Sequence, residues 1–262
     1  VALQAGPLHA QSRKLNGPFQ FVIGGDVLAA GIAPDSRTVV YLADQERNGR
    51  HELYSVPADG GAATKLNGLL GQSGAVLDFR ISLDSTRVVY RADQDTPNVP
   101  ELYGARLDSD PRPYRLNLPL IAFQTVQPDY EISPDSRTVV YRADQATEGA
   151  FELYSVGVDG GVPVRLNSPF ATGGDVRRFA LSPDGAFVVY LANKNAENVF
   201  ELFSVPIGGG VPVGLNTALV PGGDVTEFAL SPDASLVVFR ADQAVNERFE
   251  LWSAPLVGWP GR

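Results

Sequence analysis

Residues 133–156 read "SPDSRTVVYRADQATEGAFELYSV", and residues 182–205 read "SPDGAFVVYLANKNAENVFELFSV". The two stretches are one sentence written twice, and a fixed internal period is the mark of a supersecondary unit that cannot bury its apolar face alone. The turn aspartate falls at Asp35, Asp84, Asp135, Asp184 and Asp233, in steps of 49, 51, 49 and 49 residues. A second marker, "LN", ends each unit at Asn16, Asn67, Asn117, Asn167 and Asn216, in steps of 51, 50, 50 and 49. Two independent markers therefore share one period.

Each unit holds four short runs of strand character, called a to d in chain order. In the fourth unit they are "DVRRFALS" (175–182), "AFVVYLA" (186–192), "FELFSVP" (200–206) and "VPVGLN" (211–216). Their β-branched and aromatic residues, punctuated by Gly, Pro, Asp and Asn, predict strands and turns. In "SPDG" Pro183 presets φ for a type I turn, and Asp184 can accept a local backbone hydrogen bond, which closes the a–b hairpin. In "VDGG" (158–161) the glycines supply the positive φ of a tight c–d hairpin. A four-stranded meander at this period is one blade of a β-propeller.

The ends of the chain count the blades. It opens on "QSRKLN" (11–16), a d strand without its own a, b and c, and closes on "FELWSAPL" (249–256), a c strand without its d. Pairing them predicts a closed five-bladed ring of four-stranded antiparallel blades, free of an open edge. Residues 1–16 carry the closing d strand, and the repeats cover about 17–67, 68–117, 118–167, 168–216 and 217–262 of one domain.

"LSPDGAFVVYLANKN", "ELFSVP" and "GGGVPVGLN" resemble the WD40-like PD40 repeat of TolB-type propellers, over nearly the whole chain. The resemblance implies an extracytoplasmic bacterial protein, periplasmic or secreted, that works as a binding scaffold with ligands near the mouth of the channel. TolB-type rings commonly have six blades, so a count of five departs from the pattern.

Composition narrows the function. Cysteine and methionine are absent, which excludes disulfides, thiolate catalysis and cysteine metal sites; with Val1 first, the chain reads as a processed product, an excised fragment or an incomplete chain. The net charge of −9 opposes phosphate binding, so nucleic acid is not an expected partner. No apolar run approaches the 18 residues or so of a membrane span. Only His9 and His51 exist, so a histidine metal cluster is excluded; a serine hydrolase would need one of them as base, and neither is expected to face the channel.

Candidate site residues are sought where the copies differ. Strand a is expected to line the channel, with Ala29, Asp78, Asp129, Arg178 and Glu227 at one position and Gly31, Arg80, Glu131, Ala180 and Ala229 two residues later. Pairing of neighbouring charges, such as Asp78 with Arg178, is the plainer reading, and catalysis by two of the carboxylates the bolder. "GGDV" places Asp26, Asp175 and Asp224 at the start of strand a in three units that ring closure would make adjacent; the other units have Ala75 and, allowing one inserted residue, Val126. Three carboxylates at one mouth would call for a cation such as Ca2+, or a basic ligand, among them. The plainer reading is that each aspartate satisfies backbone N–H groups; otherwise no cofactor is expected. Asp44, Asp93, Asp144 and Asp242 should order the b–c loops, and Arg91, Arg142 and Arg240 should pair with Glu101, Glu152 and Glu250. The stripe Tyr54, Tyr103, Tyr154, Phe203 and Trp252 should be core.

The expected function is recognition of a protein or peptide, without catalysis, on the face of the d–a and b–c loops. Two alternatives stay open: a five-bladed glycosidase using Asp78, Asp129, Glu131 or Glu227 as acid and base or nucleophile, and an accessory propeller of a larger envelope complex or protease.

Overall fold

The computed structural model describes residues 12–20, 24–108, 111–170, 173–194 and 199–258. These residues form five antiparallel sheets and no helix, the architecture of a five-bladed β-propeller. Blade one is β1 (Val27–Ile32), β2 (Thr38–Ala43), β3 (Glu52–Pro57) and β4 (Thr64–Lys65). Blade two is β5 (Val76–Ile81), β6 (Arg87–Ala92), β7 (Glu101–Arg106) and β8 (Tyr114–Arg115). Blade three is β9 (Glu131–Ile132), β10 (Thr138–Ala143), β11 (Glu152–Gly157) and β12 (Val164–Arg165). Blade four is β13 (Val176–Leu181), β14 (Phe187–Ala192), β15 (Glu201–Pro206) and β16 (Val213–Gly214). Blade five has three strands, β17 (Val225–Leu230), β18 (Leu236–Ala241) and β19 (Glu250–Pro255). Each sheet is a meander, as the punctuation of the sequence requires. No helix of the described residues is long and apolar enough to cross a membrane.

The a–b turns work as read from "SPD". In blade four Ser182 Oγ donates to Asp184 Oδ1 (2.5 Å), which also accepts the N–H of Ala186 (3.0 Å), while Ser182 Oγ accepts the N–H of Phe187 (2.9 Å). The same hydroxyl–carboxylate pair recurs at Ser82–Asp84, Ser133–Asp135 and Ser231–Asp233. At Asp135, Asp184 and Asp233 the serine hydroxyl is the largest cause holding the carboxyl below its usual range, to about 2 at Asp233.

Strand d is short because an asparagine completes it. Leu66 N donates to Leu53 O, Leu53 N donates to Asn67 Oδ1 (2.8 Å), and Asn67 Nδ2 donates to Gly68 O. Asn117, Asn167 and Asn216 repeat the clamp on Leu102, Leu153 and Leu202. This is the physical content of the "LN" marker.

Four apolar clusters fill the seams between blades one and two, two and three, three and four, and four and five. Tyr103, Tyr154 and Phe203 are buried in them and Tyr54 in blade one's own cluster, stacked on Tyr90, Tyr141, Tyr190 and Tyr41 with centroids 5.3–5.5 Å apart, so these four of the aromatic stripe are packing, while Trp252 is half-buried.

The ring-closing pair expected between the N-terminal d strand and β19 is not formed among the described residues. Residues 12–16 carry no strand; Leu15 packs instead against blade one's own cluster, and Gly17 N donates to Tyr41 Oη. Leu251 of β19 is 76% exposed, whereas its counterparts Leu53, Leu102, Leu153 and Leu202 are fully buried. Val27 of β1 is 43% exposed, whereas Val76, Val126, Val176 and Val225 are buried. Among the described residues the outer faces of blades one and five lack the cover that the inner seams have.

Candidate functional site

The d–a and b–c loops meet at one end of each blade, and the b–c aspartate joins them. Asp44 Oδ1 accepts the N–H of Asp26 (2.6 Å) and Oδ2 that of Gly49 (2.7 Å). Asp93 holds Ala75 and Asn98, Asp144 holds Thr125 and Gly149, and Asp242 holds Asp224 and Glu247 in the same way, while Asn193 holds Asp175. Burial opposes ionisation of Asp44 and Asp242, but the converging N–H groups outweigh it and keep both below the usual carboxylate range. The loops are thus a rigid platform of internal hydrogen bonds.

These bonds correct one alignment. Thr125, not Val126, stands where Asp26, Asp175 and Asp224 stand, because Thr125 N meets Asp144 as Asp224 N meets Asp242. Val126 bridges Ala143 as Val225 pairs with Ala241, so the inserted residue falls later, before β9.

The three GGDV aspartates do not converge. Asp175 Oδ1 accepts the N–H of Phe151 (3.0 Å), and Asp224 Oδ1 that of Phe200 (2.7 Å), each from the preceding blade. Burial lifts the Asp175 carboxyl above its usual range, against the help of the Phe151 N–H and Arg142. Asp26 is exposed and makes no such bond among the described residues. No group of three or more histidine, cysteine or acidic side chains close enough to share a metal ion exists among the described residues. Among the described residues the expected calcium or cationic-group site is not assembled; the Asp175 and Asp224 carboxylates accept backbone N–H groups across the seams, and Asp26 stands exposed.

The charges of strand a turn toward seams, with partners other than those expected. Arg91 joins Asp78 (2.6 Å) and donates to the Val126 carbonyl of blade three (2.9 Å); Arg142 joins Asp129 (2.8 Å) and reaches the Val176 carbonyl of blade four. Asp78 and Arg178 do not pair: Arg178 lies 5.0 Å from the Phe228 ring centroid, and Arg80 lies 5.1 Å from that of Tyr130. Glu131 is half-buried, and desolvation raises its pKa despite the Leu181 backbone and Arg80. Glu227 is exposed on the uncovered fifth blade.

Nor do Arg91, Arg142 and Arg240 reach Glu101, Glu152 and Glu250. Arg142 is opposite Leu153, and Glu152 is opposite Ala143, so the arginine and the glutamate lie on opposite faces of the sheet. The glutamates pair instead with Arg115, Arg165 and Arg248, and Arg240 stacks over Phe249.

The residues missed by the sequence reading lie in the d–a loop of blades two and three. Phe123 is 83% exposed with φ of 72°, at the position where three other units have glycine: Gly24, Gly173 and Gly222, with φ of 88°, 82° and 82°. Gln124 fixes this loop from beneath: Nε2 donates to Asp144 O (3.0 Å), and Oε1 accepts the N–H of Ile121 (3.0 Å). Ile121 is 67% exposed, and Leu69 in the neighbouring d–a loop is 95% exposed. An apolar side chain held outward on a strained backbone is uncommon in a loop that serves only to connect. The signal was the spelling "FQTV" (123–126) against "GGDV", which the misplaced insertion hid.

No protein-family model matches the chain, and no curated protein matches it in sequence. Solved structures do. A prolyl endopeptidase structure matches at TM-score 0.58 and 12% identity, over 91% of this chain and 35% of that one. A puromycin-hydrolyzing peptidase of Mycobacterium tuberculosis matches at TM-score 0.53 and 16% identity, over 91% and 37%. TolB from Agrobacterium tumefaciens matches at TM-score 0.47 and 19% identity, over 87% and 76%. The chain spans little more than a third of the peptidases, and the likeness is one of fold: a β-propeller.

Proposed function

We propose that the chain is a binding scaffold without catalysis of its own, recognising a protein or peptide on the face of the d–a and b–c loops. The observation that carries this is Phe123, exposed in a left-handed backbone above a loop fixed by Gln124 and Asp144. Rigid exposed aromatics are the usual anchors of protein recognition, since little entropy is lost on docking. The net charge of −9 favours a partner with basic groups around an apolar centre. An extracytoplasmic location goes with this reading, on the strength of the repeat's resemblance to TolB-type propellers.

The test is paired affinity capture with wild type and Phe123→Gly as baits. A partner held by wild type and lost by the variant supports the reading, whereas equal recovery on both overturns it.

A second reading, an accessory propeller of a peptidase, is favoured by the fold likeness to a prolyl endopeptidase; its test is whether the capture brings down peptidase activity. For a glycosidase, Asp78 and Asp129 are poorly placed as acid and base, because each is already engaged in an ion pair with an arginine of the adjacent strand, Arg91 and Arg142. Release of reducing sugar that is abolished by Glu131→Gln would revive that alternative.

A further inference from the structure

The outer edge of β19 has no partner strand among the described residues, yet four equivalent edges show what fits there. In blades one to four the fourth strand ends "TKLN", "YRLN", "VRLN" and "VGLN", and residues 13–16 read "RKLN". The leucine of each is buried, and the asparagine Oδ1 accepts the N–H of the strand c leucine at 2.7–2.8 Å. In three blades the basic residue before the leucine pairs with the strand c glutamate: Lys65 with Glu52 (3.0 Å), Arg115 with Glu101 (3.3 Å) and Arg165 with Glu152 (3.0 Å). By that register Lys14 belongs with Glu250, Arg13 opposite Ser253, and Asn16 Oδ1 on Leu251 N. Beside the free edge lies a cavity of about 410 Å³ lined by Leu215, Asn216, Phe239, Trp252, Ala254 and Val257.

In the same chain, residues 13–16 lie on blade one, where Leu15 packs against its cluster without pairing with β19. Three further groups wait on the two end blades. Asp26 lacks the preceding-blade N–H that Asp175 and Asp224 accept, and its counterpart is that of Phe249. Arg240 stands where Arg91 and Arg142 donate to the carbonyl of the next blade, for which the counterpart is Val27. Ser36 stands where Ser85 and Ser136 accept the N–H of the preceding turn aspartate, for which the counterpart is Asp233.

We propose that the free edge of β19 takes residues 13–16 of a second copy of this chain, joining blade five of one copy to blade one of the next. The contact is heterologous, since the two surfaces differ, and it is repeated head to tail. Main-chain hydrogen bonds supply the attachment, and the Leu15 and Asn16 side chains and the Lys14 charge supply the register.

The absence of cysteine from the chain makes a disulfide test clean. Arg13→Cys and Ser253→Cys are made separately in the full chain, mixed and oxidised, and also combined in one chain. The expected result is a linked pair of twice 28.0 kDa from the mixture and a ladder from the double variant. Linkage of the double variant only within single chains would overturn the proposal, because the segment would then close its own ring; no linkage in either sample would overturn it equally. Sedimentation of the unmodified chain gives the second reading. Its mass should rise with concentration, and Asn16→Ala should weaken association about tenfold, as one lost hydrogen bond of this kind predicts. A concentration-independent mass of 28.0 kDa would refute it.

Discussion

Phe123→Gly tests the central reasoning by reversing an ordinary rule. At exposed positions glycine is normally worse than alanine by about 0.5–1 kcal/mol, for reasons of unfolded-chain entropy. At φ of 72° a residue with a Cβ carries roughly 1–2 kcal/mol of strain that glycine does not. The ring is 83% exposed, so its truncation removes only about a sixth of the roughly 1.5–3 kcal/mol that full burial would supply, about 0.4 kcal/mol. For Phe123→Gly these terms nearly cancel, leaving stability within about 1 kcal/mol of wild type, or within about 4 °C in Tm for a chain of this size. Phe123→Ala keeps the strain and loses the same contact, so it should be the less stable of the two. Urea unfolding of the three proteins measures both differences. A Phe123→Gly loss of more than about 2 kcal/mol, or alanine more stable than glycine, would show that the ring holds the loop together and would remove the ground for calling it an anchor. On binding, truncation of such an anchor should cost about 2 kcal/mol or more, roughly thirtyfold in Kd.

Asp175→Ala and Asp224→Ala should each cost about 1 kcal/mol in urea unfolding, because they strand the half-buried N–H groups of Phe151 and Phe200, while Asp26→Ala should change monomer stability by less than about 0.5 kcal/mol. Gly104 lies under the Tyr114 ring, where an added Cβ would come within 2.6 Å of a ring carbon, so Gly104→Ser should destabilise by dislodging the Tyr114 hydroxyl from Val158 O; Tyr114→Val should rescue it in a double-mutant cycle. The turn carboxyls Asp135, Asp184 and Asp233 sit below their ordinary range in the fold, so their contribution is complete above the ordinary carboxyl value of about 4 and is lost as pH falls below it, at Asp233 down to about 2. Urea midpoints measured across that window should fall with pH, and the fall should be shallower in Asp135→Asn/Asp184→Asn.

The repeat made the blades legible because the residues that recur are those that close turns and fill seams. Asp184, Asn167 and Asp144 each hold backbone groups by short-range rules, and each does in space what its place in the period implies. What the period could not convey was which face a side chain takes. Arg142 and Glu152 look like cross-strand neighbours in the sequence, but pairing places Leu153 opposite the arginine, and a shift of one residue turns a side chain to the other face. The aspartates of GGDV were read as a convergent group because closure of the ring was assumed; the seam bonds to Phe151 and Phe200 show that they look sideways into the preceding blade. Phe123 was lost to an insertion placed in the d–a loop instead of after Val126, within the run of strand a. Closure itself depends on relations between distant ends, which short-range patterns do not encode.

The chain has two tryptophans, Trp252 and Trp259, and both fall in the last stretch of the sequence. Trp252 lies on β19 and donates through Nε1 to Ala241 O (3.2 Å), inside the three-stranded sheet. Blades one to four carry tyrosine and phenylalanine in that layer, so the emission of Trp252, read in a Trp259→Phe variant, is a local lamp over blade five, whereas far-ultraviolet ellipticity sums over all five sheets. A terminal blade stacked on one neighbour has half the support of an inner one. Emission should accordingly move before ellipticity on heating, and whatever pairs with β19 should draw the two melting curves together.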